Sequence, residues 1–271
     1  GGPFSGSESF TNSLTNGVPL FAFPQPFLSV GQTGTQNVSS VNPHLRTPYS
    51  QQFNLAVERQ VGQVGLRVAY VGTRSTGLVY LRNLNQPRPS TIPFSSSRRF
   101  YPTYNVVSWY DNGGTQQYNA LQVSASKTYG ESLFFNAGWT WAKDLTDTQN
   151  SGTGFSGPRI ADAFNRAAER GDNVVIRPHR FYGTAIYDLP VGRGKRWLGG
   201  APGILDAVLG GWRVSWVVVM QSGQFFSPTF AGFDPSNTNT VGGRPDRIGS
   251  GKLSSGQSLN HWFDAQAFKI P

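Results

Sequence analysis

The segment ESLFFNAGWTWAKDLTD, residues 131–147, alternates apolar side chains with small or polar ones. In an extended conformation, one face of this segment carries Leu133, Phe135, Ala137, Trp139 and Trp141. The other face carries polar or small residues, with Phe134 as the exception. A period of two predicts a β-strand with two unlike faces. The apolar face of such a strand must pack either on a protein core or on lipid.

The same alternation recurs along the chain and predicts six strands, at about residues 50–60, 65–80, 115–128, 132–142, 179–190 and 211–226. Tight turns join the first strand to the second and the third to the fourth, and a Gly-rich connection of moderate length joins the fifth to the sixth. The other connections are long and polar. Because consecutive antiparallel strands alternate in direction, every shorter turn falls at one end of the sheet and every long loop at the other. Outer-membrane barrels are built in this way.

The composition is unusual for a soluble enzyme. Charged residues make up 14% of the chain, whereas soluble domains carry roughly 25%. Aromatic residues make up 13%, and the 33 glycines and 18 prolines favour turns over helices. The longest fully apolar run, residues 216–220, is too short for a membrane helix. Because cysteine is absent, disulfides and thiolate metal sites are excluded.

Aromatic residues near both ends of the predicted strands indicate two membrane-interface belts. Near the long loops lie Tyr118, Trp139, Trp141 and Tyr182, and near the short turns lie Tyr187 and Trp212. The faces opposite the apolar ones carry Gln, Asn, Glu, Arg and Ser. A wide barrel with a wet lumen turns its apolar face to lipid. The predicted fold class is therefore all-β, an antiparallel transmembrane β-barrel segment with short periplasmic turns and long extracellular loops.

Several segments, in this order, resemble TonB-dependent receptors. They include TPYSQQFNLAVERQVG, LRVAYVGTRSTGL, NLNQPRP, YNALQVSASK, NAGWTWAKDLTD, RPHRFYGTAIYDLPVGRGKRW, LGGWRVSWVVVMQSGQFF and HWFDAQAF. More narrowly, the chain resembles the large Oar-like type, which carries a carboxypeptidase-regulatory-like domain ahead of its plug. The similarity covers nearly everything from Asn42 onward.

The resemblance implies an outer-membrane barrel of about 22 strands, plugged by an N-terminal domain and driven by an inner-membrane energy complex. The plug, the energy-coupling box and a terminal strand ending in an aromatic residue are not found in residues 1–271. We therefore expect residues 1–271 to form part of a barrel wall. Six strands cannot close alone, and unpaired strand edges are prohibitive in lipid.

The function that the resemblance implies is TonB-energised uptake of an extracellular nutrient across the bacterial outer membrane. The implied partners are outer-membrane lipid, a TonB-type energising complex reached through N-terminal parts, and a small-molecule, peptide or glycan ligand. Two alternatives remain open, and the first is a surface-exposed or secreted β-rich binding, adhesion or filament-forming protein without transport. The second is a soluble enzyme on a β-sandwich. The net charge is +9, but the basic residues are scattered along the chain, so a nucleic-acid partner is not expected.

Ligand contacts are expected in the long loops. An aromatic and acidic cluster at the tip of the second-to-third connection consists of Trp109, Tyr110 and Asp111. A basic cluster at the start of the fifth strand consists of Arg177, His179 and Arg180. Aromatic rings suit sugars and chelate rings, and arginines suit carboxylates or phosphates. For both clusters the alternative is interface anchoring or loop packing.

Catalytic, metal and cofactor sites are not expected. The three histidines lack ligand spacing, and Ser124 and Lys127 of an S-x-x-K match fall on opposite faces of a strand. The G-x-G-x-x-G match at residues 152–157 lacks its strand and helix context. Calcium bound by loop carboxylates is conceivable, with Asp144, Asp147 and Asp234 as candidates.

Residues 160–171 have the spacing of a short amphipathic helix with Ile160 and Phe164 on one side. Such a helix would fold a loop over the barrel mouth. The alternative is a lid over an imported ligand.

Overall fold

The computed structural model describes residues 35–127, 132–148 and 159–271, together with the backbone of three short strands nearer the N-terminus. The strands are β1 Ser5–Ser7, β2 Leu14–Thr15, β3 Val18–Pro19, β4 Gln36–Val41, β5 Tyr49–Val61, β6 Val64–Asn83, β7 Tyr104–Lys127, β8 Leu133–Thr146, β9 Gly171–Asp172, β10 His179–Asp188, β11 Arg213–Gln221, β12 Asp246–Arg247 and β13 Phe268–Lys269. The helical elements are α1 Gly203–Leu209 and 3-10 turns at Ser96–Arg98, Arg166–Glu169 and Ala265–Ala267.

The long strands form one antiparallel sheet in the order β5, β6, β7, β8, β10, β11, which we call the wall. Neighbours in the wall are also neighbours in sequence, apart from the short β9, so the chain runs up and down. This confirms the predicted antiparallel β fold. Each predicted strand overlaps one strand of the wall. Residues 84–103 and 147–178 connect strands at one end, and the tight turn at residues 62–63 lies at the other. The β10–β11 connection, residues 189–212, also lies at that other end, although it is longer than residues 84–103.

Strands β6 and β7 are 20 and 24 residues long, about twice what crosses a bilayer. The prediction that residues 82–114 form a loop is wrong, because residues 104–114 are the first half of β7. Their Asn, Gly and Asp residues are typical of a turn, but β6 pairs with them across a β-bulge between Thr76 and Val79. Gly113 supplies the positive φ of 130° on the β7 side. On its other edge this half of β7 pairs with the parallel strand β4.

The register shows which residues share a face, because directly paired residues point to the same side of a sheet. One row across the wall is Val57, Val68, Val123, Trp139, Phe181 and Met220. The next row, on the other side, is Ala56, Ala69, Gln122, Thr140, Arg180 and Gln221. We call these two sides the apolar face and the polar face.

The apolar face is more exposed than the polar face, whereas a sheet of a soluble protein buries its apolar face. On the interior strands β6 and β7, Val68 and Val123 of the apolar face are 46% and 37% exposed, whereas Ala69 and Ala120 of the polar face are 1% and 2% exposed. Within the described residues, no protein layer therefore covers the apolar face at Val68 and Val123. A bare apolar surface of this kind suits lipid.

Both ends of the wall are open edges in the part of the chain that the structure describes. Strand β5 pairs only with β6, and β11 pairs only with β10. Every residue of Tyr49–Val61 and of Arg213–Gln221 is exposed. Because unsatisfied backbone groups are costly in a bilayer, both edges need further strands there.

The amphipathic helix predicted for residues 160–171 is wrong, since only Arg166–Glu169 is helical and that turn is 3-10. The side chains of Asp162 and Asn165 accept hydrogen bonds from the backbone N–H groups of Phe164 and Ala168. Such local bonds compete with an α-helix. No described helix has the length and apolar character to cross a membrane.

Candidate ligand-binding site

The long connections fold together at one end of the wall into a unit that we call the loop cap, residues 84–103, 159–178 and 228–245. Asn85 holds the first of these segments. Its side-chain amide lies 2.9–3.1 Å from the carbonyl oxygens of Tyr101, Tyr104 and Asn105, and its own oxygen accepts from the Tyr101 N–H at 2.8 Å. Asn85 is 1% exposed, so these bonds replace water that cannot reach the loop backbone.

Gln86 joins the three segments of the loop cap to one another. Its Nε2 donates to the Ala161 carbonyl at 2.8 Å and to the Thr240 hydroxyl at 3.0 Å, and its Oε1 accepts from the Ala163 N–H at 2.7 Å. Gln86 is 4% exposed. The two consecutive amide side chains of the NLNQPRP segment, Asn85 and Gln86, therefore hold the loop cap together through hydrogen bonds. The sequence signal for this role is the pair of consecutive amide residues that follows the second predicted strand.

A cavity of about 230 Å³ lies between the three segments, where β6 ends and β7 begins. Its lining is mostly amide, hydroxyl and guanidinium groups, and its charged members are Arg99 and Arg159. Neither arginine is among the residues selected from sequence. A second, more apolar cleft of about 890 Å³ is lined by aromatic residues such as Phe226, Trp262 and Phe263.

The predicted cluster of Trp109, Tyr110 and Asp111 is not at a loop tip, because all three residues belong to β7. Asp111 lies opposite Tyr80, and its Oδ2 pairs with Arg82 Nη2 at 2.9 Å. Its Oδ1 accepts from the Asn42 side chain, also at 2.9 Å. The carboxylate therefore ties the residue that follows β4 to the wall. A direct ligand contact by these three residues stays a prediction.

The predicted basic cluster is divided between the two faces. His179 begins β10 on the apolar face, opposite Trp141, and its ring is nearly parallel to those of Trp139 and Trp141, with centroids 5.8 and 6.3 Å away. Arg180 is the next residue in the strand and lies on the polar face, opposite Thr140. The two side chains cannot act as one cluster because adjacent strand residues point to opposite sides. Arg177, which precedes the strand, is half-buried.

The predicted interface aromatics also divide between the faces. Trp139, Trp141 and Tyr187 share the apolar face, and Trp212, just before β11, donates from Nε1 to the Val208 carbonyl at 2.8 Å. Tyr118 and Tyr182 lie on the polar face, paired with Asp144 and Gly138. These two tyrosines therefore do not share a face with Trp139, Trp141 and Tyr187, because position along a strand does not determine the side to which a residue points. Their place at the membrane interface stays a prediction.

The three candidate calcium ligands act as separate structural acceptors. Asp144 accepts from Gln116 and Asn173 at 2.7 and 2.8 Å. Asp147 pairs with Arg166 at 2.6 Å, and Asp234 accepts from the Asn239 N–H at 2.6 Å. The described residues contain no group of three or more His, Cys, Asp or Glu side chains placed to hold a metal ion. The G-x-G-x-x-G match lies outside the described residues.

Comparisons with known proteins agree with this architecture. The model of the family described as "Outer membrane beta barrel domain" matches residues 1–271. No curated protein sequence matches the chain. A solved structure similar to it is that of the outer membrane transporter YddB from Escherichia coli, with 10% identity, 57% of this chain and 20% of that chain covered, and a TM-score of 0.37. That likeness is too distant to carry an argument about function. The family match spans the whole chain, so this protein belongs to the outer membrane beta barrel domain family and resides in the outer membrane.

Proposed function

We propose that the protein is a TonB-dependent receptor of the outer membrane, in which this chain forms part of the barrel wall and of the extracellular ligand-capturing surface. The observation that carries the proposal is the folding of the long connections into one loop cap at one end of the wall. A wall whose polar face is covered at one end by ordered loops suits selective entry of a solute into a barrel.

The two faces of the wall support the same proposal. No described residue covers the apolar face at Val68 and Val123, and the polar face carries groups such as Gln122, Thr140 and Arg180. In a barrel wide enough for a wet lumen, the polar face lines the lumen and the apolar face meets lipid. The open edges at β5 and β11 leave room for further strands on both sides.

The mechanism that we propose is binding without covalent chemistry. The loop cap captures a small molecule, peptide or glycan, and an energised movement of a plug then opens the lumen to it. The energy comes from contact between a TonB-type complex and N-terminal parts of the receptor. These steps rest on the resemblance of the sequence to TonB-dependent receptors.

Solute depletion by living cells tests this function. Bacteria that express the protein are incubated with a defined mixture of ferric chelates, oligosaccharides, short peptides and cobalamin, and each solute in the medium is followed by mass spectrometry. We expect one class to be depleted by expressing cells, and only while the inner-membrane energy complex is intact. A control strain expresses an unrelated outer-membrane barrel.

Two results would contradict the proposal. Depletion that is the same without the energy complex would indicate passive entry or simple surface binding. Clumping or filament formation by expressing cells, with no depletion of any solute, would favour the adhesion alternative.

A further inference from the structure

The cavity of the loop cap is lined by two guanidinium groups that have hydrogen-bond donors left free. Asn85 and Gln86 line it, but their amides are fully used in holding loop backbone. Arg99 donates through Nη2 to the Asn105 side chain at 2.5 Å, which leaves most of its donors unused. The guanidinium of Arg159 has no hydrogen bond or ion pair with the residues that the structure describes.

Three other arginines of the loop cap have partners for their guanidinium groups. Arg98 donates to the carbonyl oxygens of Ile92, Arg88 and Asn237. Arg166 and Arg244 form ion pairs with Asp147 and Glu169, both at 2.6 Å. Within the described part of the chain, Arg99 and Arg159 differ from these three arginines because most of their donors are free.

Among the described residues, no carboxylate lines this cavity. Its described lining contains Arg99 and Arg159 and no Asp or Glu. Residues 149–158, which lead into Arg159, also contain no acidic residue. Asp234, near the lining residue Asn239, is itself occupied by the Asn239 N–H and the Ser236 hydroxyl. Arg159 is exposed at the mouth of the cavity, and partial burial of its guanidinium lowers the pKa of that group.

Chemistry and size together define what the cavity fits. Guanidinium groups bind carboxylate, sulfate and phosphate through paired N–H donors, and amide and hydroxyl groups beside them suit the hydroxyls of a sugar. A volume of about 230 Å³ is below the roughly 300–1,000 Å³ of clefts that enclose whole drug-sized ligands. The cavity therefore has room for one acidic group or one acidic sugar residue of a larger molecule.

We propose that this cavity is an oxyanion site in which Arg99 and Arg159 bind the carboxylate, sulfate or phosphate group of an acidic extracellular ligand. Asn85 and Gln86 act as positioning residues, since they hold the walls of the cavity. This inference rests on the proposed function only in identifying the bound ligand with the imported one. Binding itself does not require transport.

Direct binding measurements test the site. The protein is purified from outer membranes in detergent and titrated calorimetrically, at low ionic strength, with sulfate, phosphate, D-glucuronate and D-glucose. Glucuronate and glucose form a matched pair that differs in the carboxylate. We expect glucuronate or an inorganic oxyanion to bind and glucose not to bind. The preferred probe distinguishes a carboxylate site from a sulfate or phosphate site.

Variants locate the binding. Arg159→Gln and Arg99→Gln should each weaken the preferred probe at least about tenfold, because a charge-assisted hydrogen bond is lost. Arg46→Gln removes the same charge from an exposed position outside the cavity and should change affinity less than about twofold. Retention of the heat-dependent gel mobility of a folded barrel shows that each variant is folded.

The proposal is overturned if glucose binds as well as glucuronate, if no oxyanion binds, or if Arg46→Gln weakens binding as much as Arg159→Gln. These outcomes are separate from failure of the proposed function. Oxyanion binding without energy-dependent uptake leaves the site intact and removes the transporter. Energised uptake with no oxyanion binding supports the transporter and removes the oxyanion site.

Discussion

The ring of Tyr182 lies over Gly138 on the neighbouring strand of the polar face. A Cβ atom built at Gly138 would be 2.5 Å from Tyr182 Cε1, so the ring occupies the space that any other residue would need. The two residues are directly paired between β8 and β10. Tyr182 therefore covers a strand glycine from the polar side of the wall.

Gly138→Ala should lower the free energy of unfolding by about 1–3 kcal/mol, because the ring must leave its position. Urea titration in detergent, followed by tryptophan fluorescence, measures this change. The double variant Gly138→Ala with Tyr182→Ala should show most of that cost relieved, relative to Tyr182→Ala alone. An equal cost of Gly138→Ala with and without the ring would contradict this packing.

This pair also shows what sequence patterns can and cannot predict. Alternation located the strands and the shorter turns because it reflects local side-chain direction, which depends only on the neighbouring residues. The face to which Tyr118 or Tyr182 belongs changes if its position in the strand shifts by one residue. Distance from a strand end, on which the prediction for both tyrosines rests, does not determine the face of the sheet.

Tertiary partners explain the other differences. The segment around Asp111, Asn112 and Gly113 has the composition of a turn, but a 20-residue β6 offers it a partner and makes it a strand. Arg99 and Arg159 are separated by sixty positions in sequence, and the folding of the loop cap places both on one cavity. No spacing rule connects residues of separate loops, so the cavity could not have been predicted from sequence.

Asn85→Ala should loosen the first segment of the loop cap while leaving the wall folded. Loss of the side chain removes its hydrogen bonds to the Tyr101, Tyr104 and Asn105 carbonyls, at a local cost of about 1–3 kcal/mol. The Tyr101 carbonyl keeps the bond from the Tyr104 N–H. In the parent protein the Tyr101 N–H donates a hydrogen bond to Asn85 Oδ1. Its hydrogen exchange should become faster by at least about fivefold in the variant. The exposed Asn260 serves as the control through Asn260→Ala. Unchanged exchange in the Asn85 variant would contradict the fastening role.

Arg244→Lys tests the connection between two segments of the loop cap. Arg244 donates from both terminal nitrogens to Glu169, at 2.6 and 2.9 Å, and this hydrogen bonding raises the pKa of Arg244. Glu169 also accepts from the Ala161 N–H at 2.9 Å. Lysine keeps the charge but not the two-pronged geometry, and we expect a loss of about 0.5–1 kcal/mol.

The measurement for Arg244→Lys is hydrogen exchange at Ala161, with Arg46→Lys as the matched change at an exposed site. Faster exchange in the first variant alone is the expected result. Equal exchange in both variants and the parent protein would show that the ion pair does not stabilise the loop cap.

Adjacent residues of β7 provide the sharpest test of which face meets lipid. Val123 lies in the apolar row with Val68 and Trp139, and Gln122 lies in the polar row with Ala69 and Thr140. Val123→Lys should destabilise the protein by about 2–4 kcal/mol if it lies near the middle of the bilayer, because a charge must then enter hydrocarbon. Gln122→Lys adds the same charge one residue away and should cost less than about 1 kcal/mol, because the polar face of a wide barrel is wet. Urea unfolding in lipid vesicles compares the two, and the same comparison in detergent-free buffer is expected to fail through aggregation. The reverse order of the two costs would mean that the apolar face packs on protein and that the polar face is the outside of the fold.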